Sequence, residues 1–236
     1  MDKAQEAGSI VTRRNLLIGA AGLVFAAAAG AGTGYYFFWP QPSTAAPRPS
    51  TGGGEVSSAD LLTPGPLGDQ VMGAANAPVT IIEYASMTCP HCAHFHETTY
   101  PEMKKKYIDT GKIRFIFREF PLDPLAAAGS MLARCAGKDK FFPLVETLFA
   151  QQKEWVTQKP LQPMLAIAKQ AGFTQESFDK CLANQEVLSG IEEVRQRAVQ
   201  KLGVQSTPTF FINGKVFRGT LTIEELDKEM APYLKG

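Results

Sequence analysis

The sequence predicts an α/β fold: a mixed central sheet with an all-helical subdomain inserted into it. Three patterns carry that expectation. A β-branched run at 79–85 and an alternating run at 113–118 flank a stretch of helical spacing, which makes a β-α-β unit. Two short apolar runs at 209–212 and 215–218 are joined by Asn213-Gly214, the strongest short hairpin signal. Between about 123 and 202 the apolar residues recur at helical spacing, with no strand among them.

The chain opens differently from the way it continues. Thr12-Arg13-Arg14-Asn15-Leu16-Leu17 sets a twin arginine before 24 uncharged residues, 16–39, of which twelve are Gly or Ala. Basic residues before a long apolar run read as an export signal, and the pattern resembles a twin-arginine signal. As a helix the run would extend about 36 Å at 1.5 Å per residue. A hydrocarbon core is about 30 Å thick. Tyr35, Tyr36 and Trp39 supply interfacial aromatics at its far end. Residues 1–39 are therefore read as an N-terminal membrane anchor or export signal. Cleavage near Thr44-Ala45-Ala46 stays open, although Pro47 makes a poor new N-terminus. Residues 40–67 are dense in Pro, Gly, Ser, Thr and Ala and read as a flexible tether.

The folded part then runs from 68 to 236. Val79–Ala85 forms a buried strand, and Cys89-Pro90-His91-Cys92 follows at once. Pro90 stands where a helix would begin, a position that tolerates its missing N–H. His96, Tyr100, Met103 and Tyr107 continue at helical spacing to Thr110-Gly111, with a kink expected at Pro101. Ile113–Arg118 is the next strand. Helices with stops near Gly137, Pro160 and Gly172 fill the insertion. After the hairpin, Thr222-x-x-Glu225 supplies a capping box for a last helix.

Net charge is +1 and the isoelectric point about 7.6, which argues against a nucleic-acid surface. Four cysteines are too few for a disulfide-rich scaffold. Cys89 and Cys92 lie at a helix start, where exposed N–H groups and the helix dipole favour a thiolate on the first sulfur. The second sulfur sits one turn on, within reach of a disulfide. A protonatable His91 between them would favour the thiolate further, and a stabilised thiolate makes the disulfide form oxidising. A zinc site using this pair with His91, His94 or His96 is the competing reading, but it would ordinarily bring a second ligand pair, and Cys135 and Cys181 stand alone. His94 and His96 are read as packing or hydrogen-bonding residues.

Strand, Cys-Pro-His-Cys and helix resemble the thioredoxin superfamily, and Cys89-Pro90-His91-Cys92 matches the DsbA family of periplasmic disulfide oxidants. The likeness covers about 68–236 and includes the helical insertion. It implies a thioredoxin fold and a protein disulfide oxidoreductase needing no cofactor or metal. Cys89, Pro90, His91 and Cys92 would form the redox centre, with Cys92 as the resolving sulfur. Val204-Gln-Ser-Thr-Pro-Thr-Phe210 resembles the family's cis-proline loop, which would set the backbone of Thr207 and Pro208 beside Cys89 as a substrate clamp. Glu83 matches the acidic residue that lies beneath the disulfide in the superfamily and moves the resolving cysteine's proton; a carboxylate with a purely structural partner is the alternative.

The resemblance also implies clients, namely reduced exported proteins, and a membrane quinone-linked reoxidant of the DsbB type. In an oxidising compartment Cys135 and Cys181 are expected to pair, as in the alphaproteobacterial branch, two inert free thiols being the alternative. Isomerases of the superfamily usually carry an N-terminal dimerisation domain; here that region is an anchor and tether, so a periplasmic, monomeric oxidant is expected. An isomerase or reductant, or an assembly factor binding polypeptide or metal in the same cleft, are the rivals.

Overall fold

The computed structural model describes residues 57–234. The twin arginine, the apolar run at 16–39 and most of the expected tether lie outside them. Among the described residues, no helix is long and apolar enough to cross a membrane.

The sheet has five strands: β1 (Gln70–Gly73), β2 (Val79–Ala85), β3 (Ile113–Glu119), β4 (Thr209–Ile212) and β5 (Lys215–Arg218). Their order is β1-β3-β2-β4-β5. β2 and β3 pair in parallel, joined by the crossover that contains the cysteines, and the other neighbours are antiparallel. Asn213 at φ 45° and Gly214 at φ 93° make the β4–β5 turn, the left-handed pair that a two-residue hairpin needs. β1 has no counterpart in the sequence reading, because four mixed residues carry too little periodicity to register.

Period-two alternation splits the sheet's side chains between two cores. Val79, Ile81 and Ala85 of β2, Phe115 and Phe117 of β3 and Phe210 of β4 face the larger one. Ile82, Tyr84, Ile116 and Phe211 face the smaller one, which α1 (Ser58–Leu62) helps to close. Glu83 has the parity of Ile81 and Ala85, so its carboxylate points into the larger core.

The crossover is broken where one kinked helix was expected. α2 (Pro90–Thr98) ends at Thr99, α3 (Tyr100–Met103) is a single turn, and Lys104–Ile108 is a π-helical turn. Pro101 lacks an N–H to bond Glu97 and its ring crowds that carbonyl, so the break falls before it. The insertion holds α4 (Pro124–Cys135), α5 (Lys138–Ala150), α6 (Gln152–Trp155), α7 (Leu161–Gln170), α8 (Gln175–Leu182) and α9 (Gln185–Leu202). The final helix, α10 (Ile223–Met230), starts with a complete capping box from Thr222 and Glu225.

One boundary needs correction. The flexible tether expected over 40–67 does not extend to 67, because 58–68 are docked on the domain. Leu61 is buried. The fully buried Arg118 donates to the Leu61 and Thr63 carbonyls, Arg134 to those of Leu67 and Gly68, and Arg197 to those of Thr63 and Pro64. Composition hid this, since the docking rests on the segment's backbone carbonyls and two leucines, Leu61 and Leu67.

Candidate active site

Cys89 is the N-cap of α2 and Pro90 its first residue, so the chain turns from the carboxyl end of β2 straight into the helix. That turn is held from three sides. Ser86 Oγ accepts from the Leu122 N–H, and Thr88 Oγ1 donates to Asp123 Oδ2 at 2.5 Å. Asp123 also caps α4 by accepting from the Ala126 N–H. From the insertion, the buried Gln152 Nε2 donates to the carbonyls of both Met87 and Cys89, at 2.8 and 3.0 Å. Gly129 lets α4 lie against this turn: a Cβ there would come within 3.1 Å of Met87 Cβ and 3.3 Å of Trp155.

Both cysteines are free thiols in this structure and both are buried, Cys89 at 5% exposure and Cys92 at 0%. Their environments act in opposite directions. The Cys92 thiol hydrogen-bonded to Cys89 does most to lower the Cys89 thiol, which falls to about 5 despite its burial. The Thr207 hydroxyl and the backbone N–H groups of Cys92 and His91 add to the effect. Burial pushes the Cys92 thiol well up, and the Cys89 and Glu83 charges raise it further.

His91 reaches the site through its backbone. Its imidazole is exposed, and it is the residue's backbone N–H that reaches Cys89. Pro90 is exposed beside it. The Thr207–Pro208 bond is cis, and the Cys89 thiol donates to the Thr207 carbonyl at 3.3 Å. Glu83 is fully buried, with Oε2 2.9 Å from Nε2 of the buried His96. His96 thus both packs and hydrogen-bonds, whereas His94 is exposed. Among the described residues no group of three or more His, Cys, Asp or Glu is placed to hold a metal. Cys135 and Cys181, far from this site in sequence, are joined by a disulfide between α4 and α8.

Gln152, Asp123 and the Glu83–His96 pairing are the parts that sequence reasoning missed. Gln152 lies 63 residues beyond Cys89, and nothing in its local pattern sets it apart from a surface glutamine. Asp123 directly before Pro124 carries the residue types of a helix cap, a signal that could have marked it, but nothing local marks it as a partner of Thr88.

A family model described as Thioredoxin matches residues 67–230. A putative protein-disulfide oxidoreductase of Rickettsia bellii is 36% identical over 148 residues, covering 62% of this chain and 57% of its own. A probable disulfide bond formation protein D of Bacillus cereus is 32% identical over 158 residues, covering 62% of this chain and 71% of its own. The crystal structure of alpha-DsbA1 of Wolbachia pipientis is similar with a TM-score of 0.70 at 31% identity, covering 75% of this chain and 96% of that one. The chain spans little more than half the length of the Rickettsia relatives it matches.

Proposed function

The chain belongs to the thioredoxin family, among its DsbA-like members, and from that premise we propose that it is a protein disulfide oxidoreductase donating a Cys89–Cys92 disulfide to exported proteins. The observation that carries the reading is the placement of two free thiols one turn apart, Cys89 at the N-cap of α2 against the Thr207 carbonyl and Cys92 fully buried behind it, which lowers the first thiol and raises the second. A sulfur that is stable as a thiolate is a good leaving group, so a disulfide containing it is readily given away.

In the proposed cycle a substrate thiolate attacks Cys89 Sγ of the oxidised enzyme. The Cys89–Cys92 bond breaks, and Cys92 leaves and takes up a proton. A second substrate thiolate then attacks the substrate sulfur of the mixed disulfide and expels Cys89 as a thiolate, leaving the substrate oxidised and the enzyme reduced. The Thr207 carbonyl and Pro208, at 3.3 Å from Cys89 through the former, would align an extended substrate as an added strand. Glu83, in the core beneath Cys92, would exchange that thiol's proton. The reduced dithiol then needs an oxidant, for which we propose a membrane quinone-linked protein of the DsbB type. A periplasmic location, with residues 16–39 as anchor or cleaved signal, places donor, clients and reoxidant together. The Cys135–Cys181 disulfide fits such an oxidising compartment.

The redox equilibrium of Cys89 and Cys92 against glutathione tests the direction of transfer. An oxidase should have a potential of about −120 mV and little ability to repair scrambled disulfides; a value of about −270 mV would make the protein a reductant.

A further inference from the structure

Cys92 is fully buried, yet in thiol–disulfide exchange it must lose a proton when it attacks and regain one when it leaves. The pair beneath it has loose ends on both sides. Glu83 and His96 are bonded through Oε2 and Nε2 at 2.9 Å, with side-chain exposures of 0% and 1%. The other polar atom of each, Glu83 Oε1 and His96 Nδ1, is buried without a hydrogen-bond partner. A buried polar atom left without a partner is costly. Here two of them stand at opposite ends of one bonded pair.

The imidazole is firmly oriented. It stacks on Phe149 with centroids 4.5 Å apart and lies 4.7 Å from the Tyr100 ring. The residue His96 also lines a recess of about 350 Å³ at the C-terminal end of α2. The recess is otherwise lined by Glu97, Tyr100, Lys104, Lys105, Asp109 and Glu146, among other residues. His96 therefore belongs both to the buried pair under Cys92 and to the wall of a polar recess at the other end of α2 from Cys89.

We propose that His96 is a positioning residue for Cys92, passing its proton between Glu83 and this recess by a route separate from the substrate side. The inference rests on the thiol–disulfide reading of Cys89 and Cys92. When Cys92 attacks, its proton moves to Glu83 Oε1, while a proton on His96 Nδ1 leaves to water in the recess. The pair holds two protons before and after: carboxylate with imidazolium becomes carboxylic acid with imidazole. Cys92 is left as the thiolate that displaces the partner sulfur from Cys89. When Cys92 is the leaving sulfur, each step runs in reverse. Facing the imidazole are Glu83 from β2 and Tyr100 from α3, and Glu146 of α5 lines the same recess. Burial holds the Tyr100 phenol well above its ordinary range, so it stays protonated throughout.

Rapid mixing of the reduced full chain with oxidised glutathione, followed by acid quench and mass spectrometry, separates attack by Cys89 from resolution by Cys92. His96→Gln, which keeps a hydrogen-bond donor and lacks the second ring nitrogen that hands on the proton, should slow the Cys92 step at least about tenfold at pH 6. Attack by Cys89 should be unchanged, and the deficit should close toward pH 9 as hydroxide takes over proton removal. Glu83→Gln should slow the same step, and the double variant should be no slower than the worse single one. A Cys92 step unchanged in His96→Gln, or slowed equally at every pH as a packing defect would be, overturns the relay. Should that variant not fold, the wild-type imidazole ¹⁵N signals decide. They should move at both nitrogens between dithiol and disulfide forms, and their constancy would also overturn it. A wild-type chain that does not react with oxidised glutathione would sink the thiol–disulfide reading itself, a result separate from failure of the relay alone.

Discussion

Cys89 and Cys92 share one helical turn and differ in what reaches them. Cys89, at the N-cap, collects the Cys92 thiol, the Thr207 hydroxyl and two backbone N–H groups, and its thiol falls to about 5. Cys92, inside the turn, meets burial and two negative neighbours, and its thiol rises. The consequence for stability has a definite sign. A thiol depressed in the folded chain contributes stability that is complete above the unfolded value, near 9, and lost as pH falls through about 5. Between pH 5 and 8 the unfolded dithiol binds about one proton more than the folded one, so the reduced chain gains about 1.4 kcal/mol per pH unit on rising pH. The disulfide form lacks this group. Urea unfolding of both redox forms from pH 5 to 8 should therefore show the stability of the reduced form rising relative to the oxidised one. A pH-independent difference would mean that the thiolate is not stabilised by the fold.

At the scale of elements, the insertion participates in the redox turn as well as enclosing it. α6 delivers Gln152 to the carbonyls of Met87 and Cys89, and α4 delivers Asp123 to Thr88 while lying close to Met87 at Gly129. Gln152→Leu fills the same space and leaves two buried carbonyls without that donor, a loss of about 1–3 kcal/mol. The variant should unfold at a correspondingly lower urea midpoint with an unchanged m-value. Its Cys89 thiolate, followed by absorbance against pH, should titrate over a broader or shifted range because the turn is less constrained. The insertion's helices were legible from period and stops, and so was the Thr222 capping box. Gln152 was not, since its contact spans 63 residues and depends on how α6 is folded back onto the sheet.

On the scale of the whole molecule, the domain is closed on one face by its own leading segment. Arg118, Arg134 and Arg197 come from β3, α4 and α9 and converge on the carbonyls of 61–68, while Arg118 also pairs with Asp69 and donates to the Tyr84 hydroxyl. Removing that segment leaves three guanidiniums short of acceptors, one of them fully buried, and uncovers the core beneath Leu61. Breaking a buried charged network by removing one side costs about 3–5 kcal/mol. A chain beginning at residue 70 should therefore melt well below one beginning at 57. Equal melting temperatures would show that the segment is an ornament on the fold.

Local chemistry was readable from residue order: strand, Cys-x-x-Cys, helix start, hairpin turn and final cap each depend on neighbours within a few positions, where backbone geometry and residue type act directly. Glu83 was placed beneath the cysteines by the family resemblance, and the strand's parity explains why its carboxylate is buried there. Contacts that join distant residues had no such signal. The pairing of Glu83 with His96, the hold of Gln152 on Cys89, the break of the crossover helix into a π-helical turn and the docking of 58–68 arise from where the sheet, the insertion and the leading segment come together. In each of them buried polar groups find partners that local sequence does not specify.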